Sequence, residues 1–168
     1  NGRLSVAGGS APLSLPVGTE LIEVDVTDIV IEADVVPGAD FEAGGRVELT
    51  NGELAGLVTL DDLFGALNDV AQNCSCIATD PVFTETSTPD TWECNSTAED
   101  EESCNNDPNA TQMCQTLADG STFQGCSTIA SVLSSSPDLD RDGDGSDETL
   151  SLGATIEAVG AKITGVAP

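Results

Sequence analysis

This chain of 168 residues contains no histidine and no tyrosine, and lysine and arginine together number only four. Without histidine, neither a Ser-His-Asp nor a Cys-His catalytic arrangement can form, and zinc sites that combine cysteine with histidine are excluded. Four basic side chains cannot neutralise the phosphates of a nucleic acid or hold the chain on an anionic lipid surface. We therefore expect no nucleic-acid partner and few routes to catalysis.

Other shortages narrow the functions further. No glycine-rich phosphate loop or dinucleotide fingerprint occurs, and no apolar run approaches the roughly 18 residues that suggest a membrane-spanning helix. Aromatic residues make up 3% of the chain, with Trp92 as the only tryptophan, so surfaces for stacking sugar rings are scarce. Because the chain has 30 acidic residues, a pair of carboxylates does not single out a glycosidase. We predict a protein that is not an enzyme and has no transmembrane segment.

What the chain has in excess is negative charge, with a formal net charge of −26. Such a charge suits a medium rich in salt or divalent cations, because the Debye length falls to about 3 Å at 1 M ionic strength. A marine or halophilic source and an ordinary acidic secreted protein both fit this composition.

All six cysteines lie between Cys74 and Cys126, in a stretch that is poor in large apolar residues. An even number of cysteines in such a stretch predicts three disulfides and an oxidising compartment. Cys74 and Cys76 lack the two-residue spacing of zinc ribbons, and we expect each to reach a different loop. Since the chain also begins at Asn1 without a leader, we expect an exported protein whose leader has been removed, located outside the cell or on its surface.

Alternating side chains predict antiparallel strands in the first and last thirds of the chain. Residues 22–26 alternate apolar and acidic side chains, and a shift of phase at Asp28 predicts a bulge or bend. Asn51-Gly52 lies between two apolar runs, which predicts a hairpin with a type I′ turn. Residues 149–159 alternate again and predict a C-terminal strand.

One amphipathic helix is predicted at 59–72, where Thr59 can cap the backbone amides and the apolar residues recur at helical spacing. Two shorter helices are predicted at 111–117 and 127–133. We predict a mainly β fold, an antiparallel β-sandwich-like single domain over 1–168 with the long helix packed on it. A cysteine-rich, disulfide-bonded insertion would occupy 74–126 within that domain. Within it, Trp92 either covers a disulfide or is an exposed contact residue.

The most distinctive motif is Asp140-Arg-Asp-Gly-Asp-Gly-Ser-Asp-Glu148. Ca²⁺ binds roughly six to eight oxygen ligands at about 2.3–2.6 Å, and acidic side chains at alternate positions of a tight turn can converge on it. Gly145 permits the sharp bend at the sixth position. The predicted metal ligands are the side chains of Asp140, Asp142, Asp144 and Glu148 and the carbonyl of Ser146.

Two alternatives remain open for this motif. In a second register, Asp138, Asp140 and Asp142 would be the first three ligands, with the bend at Gly143. The simplest alternative is a solvated acidic turn that binds no metal. The motif resembles the calcium loops of EF-hand proteins, dockerins and thrombospondin-type repeats, although Ser151 stands at the twelfth position where an EF-hand has a glutamate.

Beyond the loop, the chain loosely resembles exported, lipoprotein-like proteins of myxobacteria and related bacteria. The similar segments are the helix Leu60-Asp-Asp-Leu-Phe-Gly-Ala-Leu-Asn before a cysteine, and the aspartate–glycine loop followed by an alternating strand. The resemblance implies export and carries no known activity.

Two classes of function fit these observations. The first is a secreted or cell-surface calcium-binding structural protein, a subunit of an extracellular assembly that self-associates or joins other surface proteins. The alternative is an adhesin or ligand-binding module that uses the cysteine-rich insertion, with a glycan or a protein as its ligand. An enzyme is a distant third.

Overall fold

The computed structural model describes residues 2–17, 20–38, 47–120, 125–141, 143, 145 and 147–161. Strands account for more of these residues than helices. The strands are β1 (Gly2–Ala7), β2 (Ser10–Val17), β3 (Glu20–Pro37), β4 (Val47–Thr59), β5 (Phe83–Glu85), β6 (Trp92–Cys94) and β7 (Thr149–Ala161). The helices are α1 (Leu60–Gln72), α2 (Ala98–Asn106), α3 (Gln112–Ala118) and α4 (Cys126–Ser134). The predicted mainly β class with antiparallel pairing is confirmed, and the β-sandwich arrangement stays a prediction.

The larger sheet has five strands. Its order is β1-β3-β4-β7, and β2 also pairs with β3. β1 runs antiparallel to the second half of β3, from Gly2 opposite Val35 to Ala7 opposite Val30. Two glycines with positive φ, Gly8 and Gly9, connect β1 to β2. A short β5–β6 hairpin forms a second, two-stranded sheet.

The phase shift predicted at Asp28 is a bulge, as expected. Asp28 has a φ of 51°, and the register between β3 and β4 shifts between Thr27 and Val30. One extra residue in a strand reverses the faces of all residues beyond it. The sequence alternation on both sides of Asp28 is therefore the signature of one bent strand.

The hairpin predicted at Asn51-Gly52 is wrong, because both residues lie inside β4. Asn51 has a φ of 49°, and the β3–β4 register is irregular beside it. Its side-chain amide donates a hydrogen bond to the Asp34 carboxylate at 3.0 Å, which holds this bulge. Gly52 is buried, and a Cβ there would overlap Ile156. This bulge places Asn51 at positive φ, as a type I′ turn would, so the dipeptide alone does not distinguish them.

The chain divides into two compact units. The first comprises Asn1–Ala11, Val26–Leu57 and Leu152–Pro168, and its described part is strand except at Gly8, Gly9 and Gly38. The second comprises Pro12–Asp25 and Val58–Ser151, and it contains all the described helices and all the disulfides. The predicted insertion 74–126 lies wholly in the second unit, and its status as an insertion in a single domain stays a prediction.

Helix α1 organises the core of the second unit. The Thr59 hydroxyl accepts a hydrogen bond from the Asp62 amide at 3.1 Å, so the predicted N-cap is confirmed. Phe64 is fully buried, and the Trp92 ring stacks on it with a centroid distance of 4.5 Å. Asn68 binds both backbone groups of Phe83, at 2.8 and 3.0 Å, which fixes β5 against the helix. Trp92 is therefore half-buried against the helix core.

The six cysteines are all paired, as predicted. The bonds join Cys74 to Cys114, Cys76 to Cys104 and Cys94 to Cys126. The segment just after α1 is thereby tied to α2 and α3, and β6 is tied to α4. Together with the cysteine distribution, these bonds indicate an oxidising environment.

Candidate metal centre

The acidic loop is the turn of a small antiparallel pairing. Leu139 and Thr149 exchange two backbone hydrogen bonds, at 3.2 and 3.3 Å, and Thr149 is fully buried. The Asp138 carboxylate accepts a further bond from the Ser151 amide at 2.8 Å. At the end of the loop, the Glu148 carbonyl accepts from the first amide of α1, that of Leu60, at 3.0 Å. Both ends of the loop are thus fixed by backbone contacts.

Inside the loop, the chain curls around the carboxylate of Asp140. One oxygen accepts a hydrogen bond from the Gly143 amide at 2.6 Å, and the other accepts from the Gly145 amide at 3.0 Å. Both glycines have positive φ, of 81° and 98°, a conformation that residues with a Cβ adopt at a cost. The two glycines of the motif are therefore needed where the sequence places them.

Glu148 approaches the loop from its other end. Its Oε1 accepts a hydrogen bond from the Arg141 amide at 2.7 Å. Its Oε2 is buried and has no hydrogen-bond donor among the described residues. An unsatisfied buried polar atom costs about 1–3 kcal/mol, and more when it is charged. A bound cation would satisfy this oxygen, and hard carboxylate and carbonyl oxygens are the ligands that Ca²⁺ prefers.

The structure describes only some of the predicted calcium ligands. Asp140 and Glu148 both point their carboxylates at backbone amides of the loop. Asp142, Asp144 and Ser146 lie outside the described residues. In the part of the chain that the structure describes, no group of three or more His, Cys, Asp or Glu side chains is arranged to hold a metal. The calcium site stays a prediction, and so does the choice between its two registers.

A second acidic region lies along α1, where five carboxylates line an open groove of about 450 Å³. The polar face of β3 and the first turn of α1 supply most of them, as the sequence alternation and the helix dipole would require. They do not form a metal-holding group among the described residues. The carboxylates are those of Glu23, Asp25, Asp61, Asp62 and Asp69.

A more mixed groove, of about 430 Å³, lies between β6 and α4. Trp92 forms part of its lining, and the buried indole N–H of this residue has no acceptor among the described residues. The Ser134 hydroxyl in the same groove accepts a bond from the Trp92 backbone amide at 3.0 Å. Sequence reasoning missed this groove because the signal, serines at helical spacing in α4, is common on exposed helix faces. The hydroxyl-bearing lining residues are Thr91, Ser127, Ser131, Ser134 and Ser135.

Sequence reasoning also missed α2 and its buried carboxylate, Asp100. Burial by itself raises the pKa of Asp100, but hydrogen bonds from Thr79, Thr97 and Ala78 outweigh burial and hold that pKa well below its usual range. The Ala78 amide lies 2.7 Å from Oδ1, and the Thr79 hydroxyl lies 2.6 Å from Oδ2. Thr97 and Asp100 form a capping box, which was a readable signal in the sequence.

None of the helices in the described residues is long and apolar enough to cross a membrane. Comparison with protein-family models, with curated proteins and with solved structures found no match. The resemblances to calcium loops and to exported bacterial proteins therefore stay expectations.

Proposed function

We propose that this chain is a secreted or cell-surface structural protein stabilised by one Ca²⁺ ion in the loop 140–148. The observation that supports the proposal best is the buried Oε2 of Glu148, which has no hydrogen-bond donor among the described residues, in a loop already curled around the Asp140 carboxylate. The proposed ligands are the side chains of Asp140, Asp142, Asp144 and Glu148 with the Ser146 carbonyl. One cation then offsets half of the charge of four carboxylates.

The calcium ion would act as a clamp on the ends of the loop. Without it, the carboxylates repel one another at short range and favour an open loop. The backbone bonds between Leu139 and Thr149 and the bond from Leu60 to Glu148 would then lose their support. The metal would therefore stabilise the start of β7 and the first turn of α1. Disulfides and a net charge of −26 fit a protein that works outside the cell in a cation-rich medium.

The experiment compares wild type, Asp142→Ala and the matched control Asp147→Asn by calorimetric titration and thermal unfolding, with calcium or a chelator. Asp147 is an exposed acid of the same loop outside the proposed ligand set. A ligand at 100 times its Kd stabilises the folded state by about 2.7 kcal/mol. We expect this gain for wild type and Asp147→Asn, and its loss for Asp142→Ala. An unchanged wild-type melting temperature after chelation would show that the loop is a solvated acidic turn.

A second candidate function is ligand binding in the groove beside Trp92. Its support is the combination of an indole ring, several hydroxyl groups and a buried indole N–H for which the described part of the chain supplies no acceptor. Such a lining suits a polyhydroxylated ligand such as a glycan. Because Trp92 is the only tryptophan, all tryptophan fluorescence comes from a residue that lines this groove. Saturable quenching or a spectral shift on adding oligosaccharides, absent in Ser131→Leu, would favour this function over a purely structural one.

A further inference from the structure

β1 and β7 are the outer strands of the five-stranded sheet. β1 pairs with β3, and β7 ends the strand order on the other side. Among the described residues, no strand covers the outer edge of either. On β7 only the first residues are covered, by the Asp138 and Leu139 arm of the acidic loop. Unpaired strand edges present rows of N–H and C=O groups that can pair with another chain.

The distribution of charge makes these edges unusual. Natural sheets commonly protect their edges with charged side chains. Here the acids lie on the inner strands: β3 contains six and β4 contains two. Residues 1–19 contain no acid, and residues 149–168 contain only Glu157, although the chain has 30. Two copies of a chain with a charge of −26 repel each other over most of their surface. They can approach most closely where the acids are missing, at β1 and β7.

The positions of proline indicate which outer strands can pair with a further strand. β2 also pairs with β3, and it contains Pro12 and Pro16. Proline has no N–H to donate, so a strand that contains it is a poor template for a further strand. β1 and β7 contain no proline.

The backbone bonds identify the donors on each outer edge. The Gly8 amide donates to the Ile29 carbonyl of β3, so by alternation along β1 the amides of Arg3, Ser5 and Ala7 point away from β3. On β7, the amide of Ser151 bonds to the loop arm rather than to β4. Continuing the alternation along this strand, the amides at 153, 155 and 157 face outward.

We propose that copies of this chain join edge to edge, with β7 of one copy paired to β1 of the next, so that their sheets become continuous. This extends the structural role proposed above by naming its partner and interface. Arg3 is the only charged residue of β1, and it is already paired with Glu32 of β3; Glu157 is the only charged residue of β7. Pairing β7 with β7 would bring two glutamates into one contact, whereas β1 contains no acid, so the charges favour β7 with β1 over β7 with β7. A head-to-tail contact leaves one edge open at each end, so it builds open chains unless the rotation between copies closes a ring.

Because β1 offers only six residues, a single contact is small, and assembly should depend on protein concentration and on screening of the net charge. The test uses sedimentation velocity at high ionic strength. Ser5→Pro removes an outward amide from β1, and Thr155→Pro removes one from β7. Ser5→Ala and Thr155→Ala are matched controls that keep the amides, and both residues are exposed.

Wild type and the alanine controls should form oligomers that lengthen with concentration, whereas each proline variant alone should stay monomeric. An equimolar mixture of the two proline variants should form a heterodimer and nothing larger, because each supplies the edge that the other lacks. A wild type that stays monomeric at high concentration, or a proline variant that forms a homodimer alone, would overturn the proposal. Heterodimer formation also shows that both variants are folded.

If circular dichroism shows that a proline variant is unfolded, Ser5→Glu and Thr155→Glu replace the pair, since they place an acid on each edge and leave the backbone intact. We expect each to weaken assembly at low salt and to recover it at high salt, and assembly as strong as wild type at low salt would count against the proposal. Calcium titration of the same samples separates the two proposals. If the protein assembles but does not bind calcium, only the metal site is refuted. If it binds calcium but does not assemble, only the edge contact is refuted.

Discussion

Replacing Asp100 by asparagine removes one negative charge from the most heavily hydrogen-bonded carboxylate of the described structure. Asp100 is 2% exposed. It accepts bonds from the Ala78 amide at 2.7 Å, the Thr79 hydroxyl at 2.6 Å and the Thr97 amide at 2.9 Å. The carboxylate thus links the loop after Cys76 to the first turn of α2. Asparagine has nearly the same shape, but its amide nitrogen cannot accept a hydrogen bond, so at least one backbone donor loses its partner.

The expected loss follows from these contacts. A hydrogen bond to a charged group contributes about 1.5–3 kcal/mol, and an unsatisfied buried donor costs about 1–3 kcal/mol. The threonine hydroxyls can rotate to accept from the new amide, which recovers part of the loss. We therefore expect Asp100→Asn to lower the free energy of unfolding by about 2–4 kcal/mol. In a protein of this size that corresponds to a fall in melting temperature of about 5–15 °C.

The pH dependence provides a sharper check. Hydrogen bonds hold the pKa of Asp100 in the folded state below its usual range, in spite of burial, which raises it. The stabilisation is therefore complete above the pKa of the unfolded state, about 3.9. It is lost as the pH falls from there through the folded-state pKa. The stability difference between wild type and Asp100→Asn should shrink over this range.

The assay is urea unfolding of oxidised protein at a series of pH values, followed by circular dichroism. Glu99→Gln is the matched control, because Glu99 is an exposed acid in the same first turn. Its loss should cost only the dipole interaction of about 0.3–1 kcal/mol. If Asp100→Asn unfolds at the same urea concentration as Glu99→Gln at neutral pH, the hydrogen-bonded carboxylate does not stabilise the fold as argued.

Three further predictions concern the same unit. Replacing Cys94 and Cys126 together by serine removes a disulfide with a sequence separation of 32. Because a disulfide restricts the unfolded chain, urea unfolding should show that the free energy of unfolding falls by about 3–4 kcal/mol. A fall below about 1 kcal/mol would contradict this explanation. Phe64→Ala, which removes the fully buried ring under Trp92, should cost about 3–5 kcal/mol and red-shift the tryptophan emission, and an unshifted emission would argue against the stacking. Gly125→Ala should destabilise α4 in thermal unfolding because a Cβ there would overlap the Asp119 carbonyl, whereas Gly65→Ala, where nothing lies nearby, should not.

Local signals in the sequence predicted the local structure well. Helix α1 was predictable because its cap, its acidic first turn and its apolar face all favour one structure. The bulge at Asp28 was predictable because strand alternation records every change of face. Asn51-Gly52 misled because its positive φ serves a bulge inside β4 as well as a turn. What decided between them was the pairing of Asn51 with Asp34, a residue far away in sequence.

Long-range pairing accounts for most of what the sequence could not predict. Six cysteines allow fifteen connectivities, and no spacing in the chain distinguishes them. Helix α2 has almost no apolar face, since its burial is limited to Asp100 and Cys104. It is held instead by its capping box and by the bond from Cys104 to Cys76. Only the capping box was visible beforehand. The same limit applies to the candidate site, because the glycine positions were readable but the burial of the Glu148 oxygen was not.

The calcium-site proposal and the edge-to-edge proposal assign different roles to cations, and an experiment can separate these roles. Binding in the loop 140–148 needs oxygen ligands arranged for Ca²⁺, so sodium at any ionic strength cannot replace it. Approach of two copies with a charge of −26 needs only screening, which sodium supplies equally well. Assembly in sodium chloride with a chelator present would therefore show that the acid-poor edges suffice. Assembly that requires calcium at constant ionic strength would instead imply that β7 pairs only when its first residues, Thr149 to Ser151, are held by the closed loop.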